Sequence, residues 1–200
     1  DEQSSYGIMK SDIATKLTSL ATNESSVTAI LGGTGAADVL FDATQKVAQS
    51  LKFNSAQVKS AADLAAMTSQ VMAAVKKQYI DGYLYAKFRL SERDFQAGQQ
   101  PTPEGIRPIE PSLMQHYQQL ISGQGEISQF LNNSFLLLAR DASGIQLYQA
   151  SMFFANSVPV SRPYETVGTG SDTTDSELYA FFERLPRESS SRQVTSATPA

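Results

Sequence analysis

The chain has no cysteine in its 200 residues and a single histidine, His116. Without thiols there is no disulfide, no thiolate metal site and no cysteine nucleophile. One histidine cannot supply the paired imidazoles of an H-E-x-x-H zinc site. Charge is scarce as well. Lys and Arg number 16 and Asp and Glu 20, so charged residues make up 18% of the chain and the formal net charge is −4. An acidic total argues against wholesale neutralisation of phosphates, and nucleic acid is not expected as a partner. Long apolar runs are also missing. The richest, FLLLA at 135–139, lies between Asn132, Asn133, Arg140 and Asp141. It falls well short of the roughly 18 residues of a membrane span and reads as a buried helix segment.

Ser, Ala, Gln and Thr take the place of the missing charge. A polar but weakly charged surface suits packing against neighbours, because little charge must be desolvated when surfaces meet. The length fits one domain, or one domain with long arms. The chain opens DEQSS rather than with methionine, which favours a cleaved secretory signal and an extracytoplasmic location, periplasmic or secreted. Asn23–Ser25 and Asn132–Ser134 fit the glycosylation acceptor pattern.

Helical spacing dominates the first half. Met9, Ile13, Leu17 and Leu20 recur on one face behind a cap at Ser11, which predicts a first helix. A second is expected from near Thr34, with Ala36, Val39, Leu40, Ala43, Val47 and Leu51. A third, alanine-rich, follows a cap at Asn54 or Ser55 and carries Leu64, Met67, Val71 and Val75. Residues 79–95 mix helical and alternating patterns and lean toward helix. The stretch 98–111, GQQPTPEGIRPIEP, holds four prolines and cannot continue a helix. Pro111 opens the next helix, helical runs are expected from Glu126 toward Arg140 and from Ile145 to Phe154, and 157–173 reads as loop. Thr174 and Glu177 form a capping box before Leu178, Phe181, Phe182 and Leu185.

The expected fold is therefore mostly α, about six helices in two groups joined by a proline-rich arm, with extended loops and a C-terminal tail. The regions run 1–97 (N-terminal helical), 98–111 (Pro/Gly-rich arm), 112–185 (C-terminal helical) and 186–200 (Ser/Thr-rich tail).

The motifs yield no chemistry. ILGGTG at 30–35 resembles a dinucleotide turn, but the third glycine position holds Asp38, whose carboxylate would repel a pyrophosphate. A helix-breaking turn is expected there. His116 reads as a boundary residue of a helix interface, with no serine or carboxylate tied to it by local spacing. Asp172, Asp175 and Glu177 do not match a calcium loop and are explained by helix capping. The basic and aromatic residues from Lys76 to Arg93 read as a solvated face beside a tyrosine-rich packing surface. No catalytic, cofactor-binding or metal residue is expected, and no cofactor.

What remains is a binding role. The expectation is a non-catalytic structural component of a larger extracytoplasmic assembly, such as a secretion or envelope complex. The alternative is a self-assembling coat or filament subunit, with or without enclosed nucleic acid. Partners are other protein subunits, of the same or different chains. Tyr and Arg are favoured at interfaces, and exposed arms order against neighbours. The contact residues expected are Tyr83, Tyr85, Phe88, Arg89, Pro108, Ile109, Pro159 and Tyr164.

Overall fold

In the computed structural model, residues 4–6, 9–11, 17–21, 26–125, 127, 131–162, 165, 167 and 177–178 are described, the first two stretches by backbone alone. The backbone begins with two short paired strands, β1 (Ser4–Tyr6) and β2 (Met9–Ser11). Then come β3 (Leu17–Leu20), β4 (Thr28–Thr34), α1 (Ala37–Phe53) and the long α2 (Ala61–Phe88). A short α3 (Glu92–Ala97), the hairpin β5 (Gln99–Thr102) and β6 (Gly105–Pro108), and α4 (Pro111–Ile121) follow. The last three strands are β7 (Ser134–Asp141), β8 (Gly144–Ser151) and β9 (Asn156–Pro159).

The centre of the molecule is an antiparallel five-stranded sheet in the order β3-β4-β7-β8-β9. Its middle strand shows how the sequence builds it. Along SFLLLARD, Phe135, Leu137 and Ala139 are buried while Leu138 and Arg140 are exposed, the period of two that a pleated strand imposes. The buried set packs with Leu20, Ala29, Leu31, Tyr148 and Ala150 of neighbouring strands against Val39, Ala43, Val47 and Leu51 of α1 and Leu64, Met72 and Val75 of α2. Small residues lie beneath the helices: Ala29 pairs with Ala139, and Ala150 sits beside Phe135.

Helix α2 joins this core to a second one. Its first half faces the sheet, while Ile80 and Leu84 pack with Leu90, Phe95, Ile109, Tyr117, Leu120, Ile127 and Leu131. Ser60 and Asp63 form a reciprocal capping box at its start. The carboxylate of Asp141, at the far end of β7, accepts the Ala61 backbone N–H at 2.7 Å and pins that start to the sheet. Ser69 Oγ donates to Ser157 Oγ at 2.9 Å, tying the helix to β9.

The mostly α expectation is overturned by this sheet. The 4-4-3 spacing of Met9, Ile13, Leu17 and Leu20 falls on strands β2 and β3, with Ile13 outside the described residues. FLLLA is the middle of β7, not a buried helix, and Ile145–Phe154 is β8 and the turn after it. The loop expected over 157–173 begins inside β9. The proline-rich stretch 98–111 is not a bare arm: it holds the β5–β6 hairpin, and Ile109 N–H donates to Gly98 O at its base. Helices α1, α2 and α4 stand where periodicity put them, but α2 is capped by Ser60 and not by Asn54 or Ser55, and 79–88 is its end.

The glycines of ILGGTG serve packing. Gly32 and Gly33 lie in β4, and a Cβ on Gly33 would come 2.8 Å from Leu40 Cδ2 and 2.9 Å from Phe135 Cδ1. Gly35, at φ +135°, turns the chain into α1, and the Asn133 side chain occupies the space a Cβ would need. Gly35→Ala is therefore expected to cost about 2–3 kcal/mol, read as a lowered urea midpoint at unchanged slope. The Asp141 carboxyl is held below the ordinary carboxylate range, first by the Ala61 N–H and then by Ser143. A depressed folded pKa gives stability above the unfolded value of about 4 that is lost as pH falls through the folded one. Asp141→Asn should lower the urea midpoint at pH 7, and the gap to wild type should close as the medium is acidified through that range.

Candidate interaction surface

The face of the sheet turned away from α1 and α2 is apolar, and no described residue forms a layer over it. Register places Ser19 beside Ile30, Ile30 beside Leu138 and Leu138 beside Leu147, a row that crosses four strands. A parallel row runs Leu17, Gly32, Leu136, Gln149, Val158. Leu17 is 57% exposed, Ile30 45%, Leu138 42%, Ile145 68% and Val158 51%. An antiparallel sheet with one face in water normally alternates apolar and polar residues. Here the central outward row of β4, β7 and β8 is aliphatic (Ile30, Leu138, Leu147), the row beside it brings Gly32 and Gln149, and Arg140, opposite Ile145 near the rim, is the only charge on their paired outward positions. A shallow depression of about 190 Å³ lies between Ser19, Ile30, Leu138, Arg140 and Ile145. Contiguous apolar surface of this kind marks a contact site in folded proteins.

The contact residues expected from the sequence lie elsewhere and are scattered. Tyr83 and Phe88 are half-buried against the second core. Ile109 is buried in it. Tyr85 is exposed on α2, with the Arg89 guanidinium 5.4 Å from its ring centre. Arg89 itself ends α2 in the left-handed region, at φ 59°. Pro108 and Pro159 are exposed at the ends of β6 and β9. Tyr164 lies outside the described residues, as do Asp172, Thr174 and Asp175.

The remaining polar groups serve the fold. The Tyr83 hydroxyl is 3.1 Å from His116 Nε2 and accepts from Lys87 Nζ at 2.9 Å, with the Phe88 ring edge-on to the imidazole at 5.3 Å. This is a helix-to-helix contact between α2 and α4. Lys76 donates to Phe153 O at 2.6 Å, and Lys77 bridges Asp81 and Glu92. Burial raises the Asp81 carboxyl, but the hydrogen bonds from Lys77 and the Glu92 N–H together with the Lys77 charge outweigh it and hold the group below its ordinary range. Lys76 and Lys77 of the basic stripe thus hold α2 to its neighbours, while Lys87 and Arg89 meet rings of α2 itself. Among the described residues, no group of three or more His, Asp or Glu side chains could hold a metal ion, and no helix is long and apolar enough to cross a membrane.

No family model matches the chain, and no curated protein matches it by sequence. Among solved structures it is similar to Anbu from Hyphomicrobium sp. strain MC1, in mutant form, with a TM-score of 0.51 and 10% identity. The likeness covers 84% of this chain and 53% of that one, so the chain spans about half the length of the structure it matches. At that identity the likeness is one of fold alone.

Sequence reasoning missed the open face because it took β4, β7 and β8 for helices or turns. The signal was there in the apolar runs AIL at 29–31 and FLLL at 135–138, which are too short for helices of their own. Adjacent leucines on β7 now test which face is which. Leu137→Ala, on the helix side, should cost about 3 kcal/mol in urea unfolding. Leu138→Lys, on the open side, should cost under about 1 kcal/mol and reduce binding of an apolar dye by the isolated chain.

Proposed function

We propose that the chain is a structural component of a larger protein assembly, which it enters through the open apolar face of its sheet. The single observation that carries this reading is the aliphatic row Ile30–Leu138–Leu147, exposed or half-exposed among the described residues, beside an opposite face sealed by α1 and α2. Leaving such a surface in water is costly, at about 25 cal/mol for each Å² that a partner would remove. The extracytoplasmic setting expected from the sequence is a separate proposal, tested by fractionating the source cells.

The assembly reading is tested by the native mass of the protein taken gently from its source. A particle several times the 21.7 kDa of this chain is expected, with charge placed at position 138 by Leu138→Lys reducing its yield. A monomer of unchanged mass in both forms would overturn it.

A further inference from the structure

We infer that the β5–β6 hairpin is a contact between two copies of this chain, packed outer face to outer face about a twofold axis with Ile106 of each copy against Pro101 of the other. The contact lies apart from the open face of the five-stranded sheet, and it rests on the assembly reading only for bringing copies together.

The register gives the hairpin two unlike faces. Paired residues share a face, so Gly98 with Ile109, Gln100 with Arg107 and Thr102 with Gly105 form one, and Gln99 with Pro108 and Pro101 with Ile106 form the other. The first is turned toward the protein: Ile109 is buried in the second core, and Gln100 and Thr102 are half-buried. On the second all four residues are exposed, Ile106 at 73%. The hairpin stands clear of the rest, since a Cβ added at Gly98 or Gly105 would meet no described atom within 4 Å. It is also closed at both ends. Thr102 Oγ1 donates to Gly105 O at 2.8 Å across the turn, and Ile109 N–H donates to Gly98 O at 3.0 Å at the base.

Edges, charge and symmetry together select a second copy as the occupant. The Ile109–Gly98 bond fixes 100 with 107 and 102 with 105 as hydrogen-bonded pairs, so residues 99, 101, 106 and 108 turn their backbone groups outward. Proline stands at 101 and 108, which leaves one outward N–H on each strand and opposes the addition of a third strand. The occupant must therefore meet side chains. The outer face carries no charge, and the acid and base of the hairpin, Glu104 and Arg107, pair at 2.8 Å. A strongly charged partner of either sign gains nothing there. Two copies of a chain whose net charge is −4 can meet at this neutral finger without bringing like charges together. A half-turn about an axis along the hairpin sets Ile106 on Pro101 and Pro101 on Ile106, the reciprocal pairing that a twofold contact requires. Two strands of four residues bury less than the about 1,200 Å² of a stable pair. The hairpin thus joins copies that the assembly already holds near each other.

The chain has no cysteine, so Ile106→Cys adds one thiol at the centre of the contact, and Phe53→Cys, at a residue 84% exposed on α1, is the control. Each full-length variant is purified in its native state and treated with a short bismaleimide, and the linked product is sized by mass spectrometry. Copies held face to face present their thiols at an effective concentration of order mM, so linkage at 106 should run at least ~10-fold faster than at 53 in a micromolar solution. Adding Pro101→Lys to the Ile106→Cys variant sets an ammonium against the apolar pair and should return the rate to that of the control. Linkage at 106 no faster than at 53 would overturn the inference, as would fast linkage that survives Pro101→Lys. Sedimentation of the unlinked sample reads the assembly claim separately. A large particle with slow linkage at 106 leaves the assembly standing without this contact, and fast linkage with no particle beyond a dimer leaves the contact standing without the assembly.

Discussion

A sheet with aliphatic residues on both faces, only one of them covered by helices among the described residues, is the constraint on which the rest of this structure depends. The helix side is settled within the chain. Phe135, Leu137 and Ala139 are sealed by α1 and α2, and glycine at positions 33 and 35 lets β4 pass close under Leu40 and Asn133 before the chain turns into α1. Moving the register by one residue would exchange the two faces. That exchange would bring Leu136, Leu138 and Arg140 under the helices, and Arg140 is a group the core cannot solvate. The position of that one charge therefore helps to fix which face is inside.

The same constraint explains the division of labour along α2. Its first half closes the sheet and its second half carries a separate core built from α3, α4 and the base of the β5–β6 hairpin. The polar contacts follow this plan. Asp141 and Ser157 fasten the helix to the two ends of the sheet region, Lys76 fastens it to the turn after β8, and Lys77 with Asp81 and Glu92 fastens it to α3. Of the basic and aromatic stripe, Lys76 and Lys77 are taken up by contacts to neighbouring elements, while Tyr85, Lys87, Arg89 and Arg93 stay exposed.

Helices were legible where one face alone is buried. Val39, Ala43, Val47 and Leu51 repeat at helical spacing because α1 has water on its other side. Strands were not legible for the complementary reason. A strand with water on one side announces itself by alternation, but β7 is apolar on both sides through its middle, and SFLLLARD loses the alternation that would have named it. Met9, Ile13, Leu17 and Leu20 show the converse error, a helical spacing produced by residues on separate strands. The proline-rich stretch was correctly seen as unable to form helix, yet Pro101 and Pro108 are compatible with a two-stranded hairpin whose outer edges need no donor. The candidate site was hidden with the strands: the open face has no meaning until β4, β7 and β8 are laid side by side.

The central claim is that the open face is covered in the working protein, and the absence of cysteine gives a clean way to measure it. Leu138→Cys introduces one thiol in the middle of the aliphatic row, and Phe53→Cys places a control on the exposed end of α1. The rate of reaction with a water-soluble maleimide is then compared in the native protein. The account predicts at least ~10-fold slower labelling at 138 than at 53, equalised by denaturant, as expected where opening costs more than about 1.4 kcal/mol. Equal and rapid labelling at both positions in the native state would contradict it.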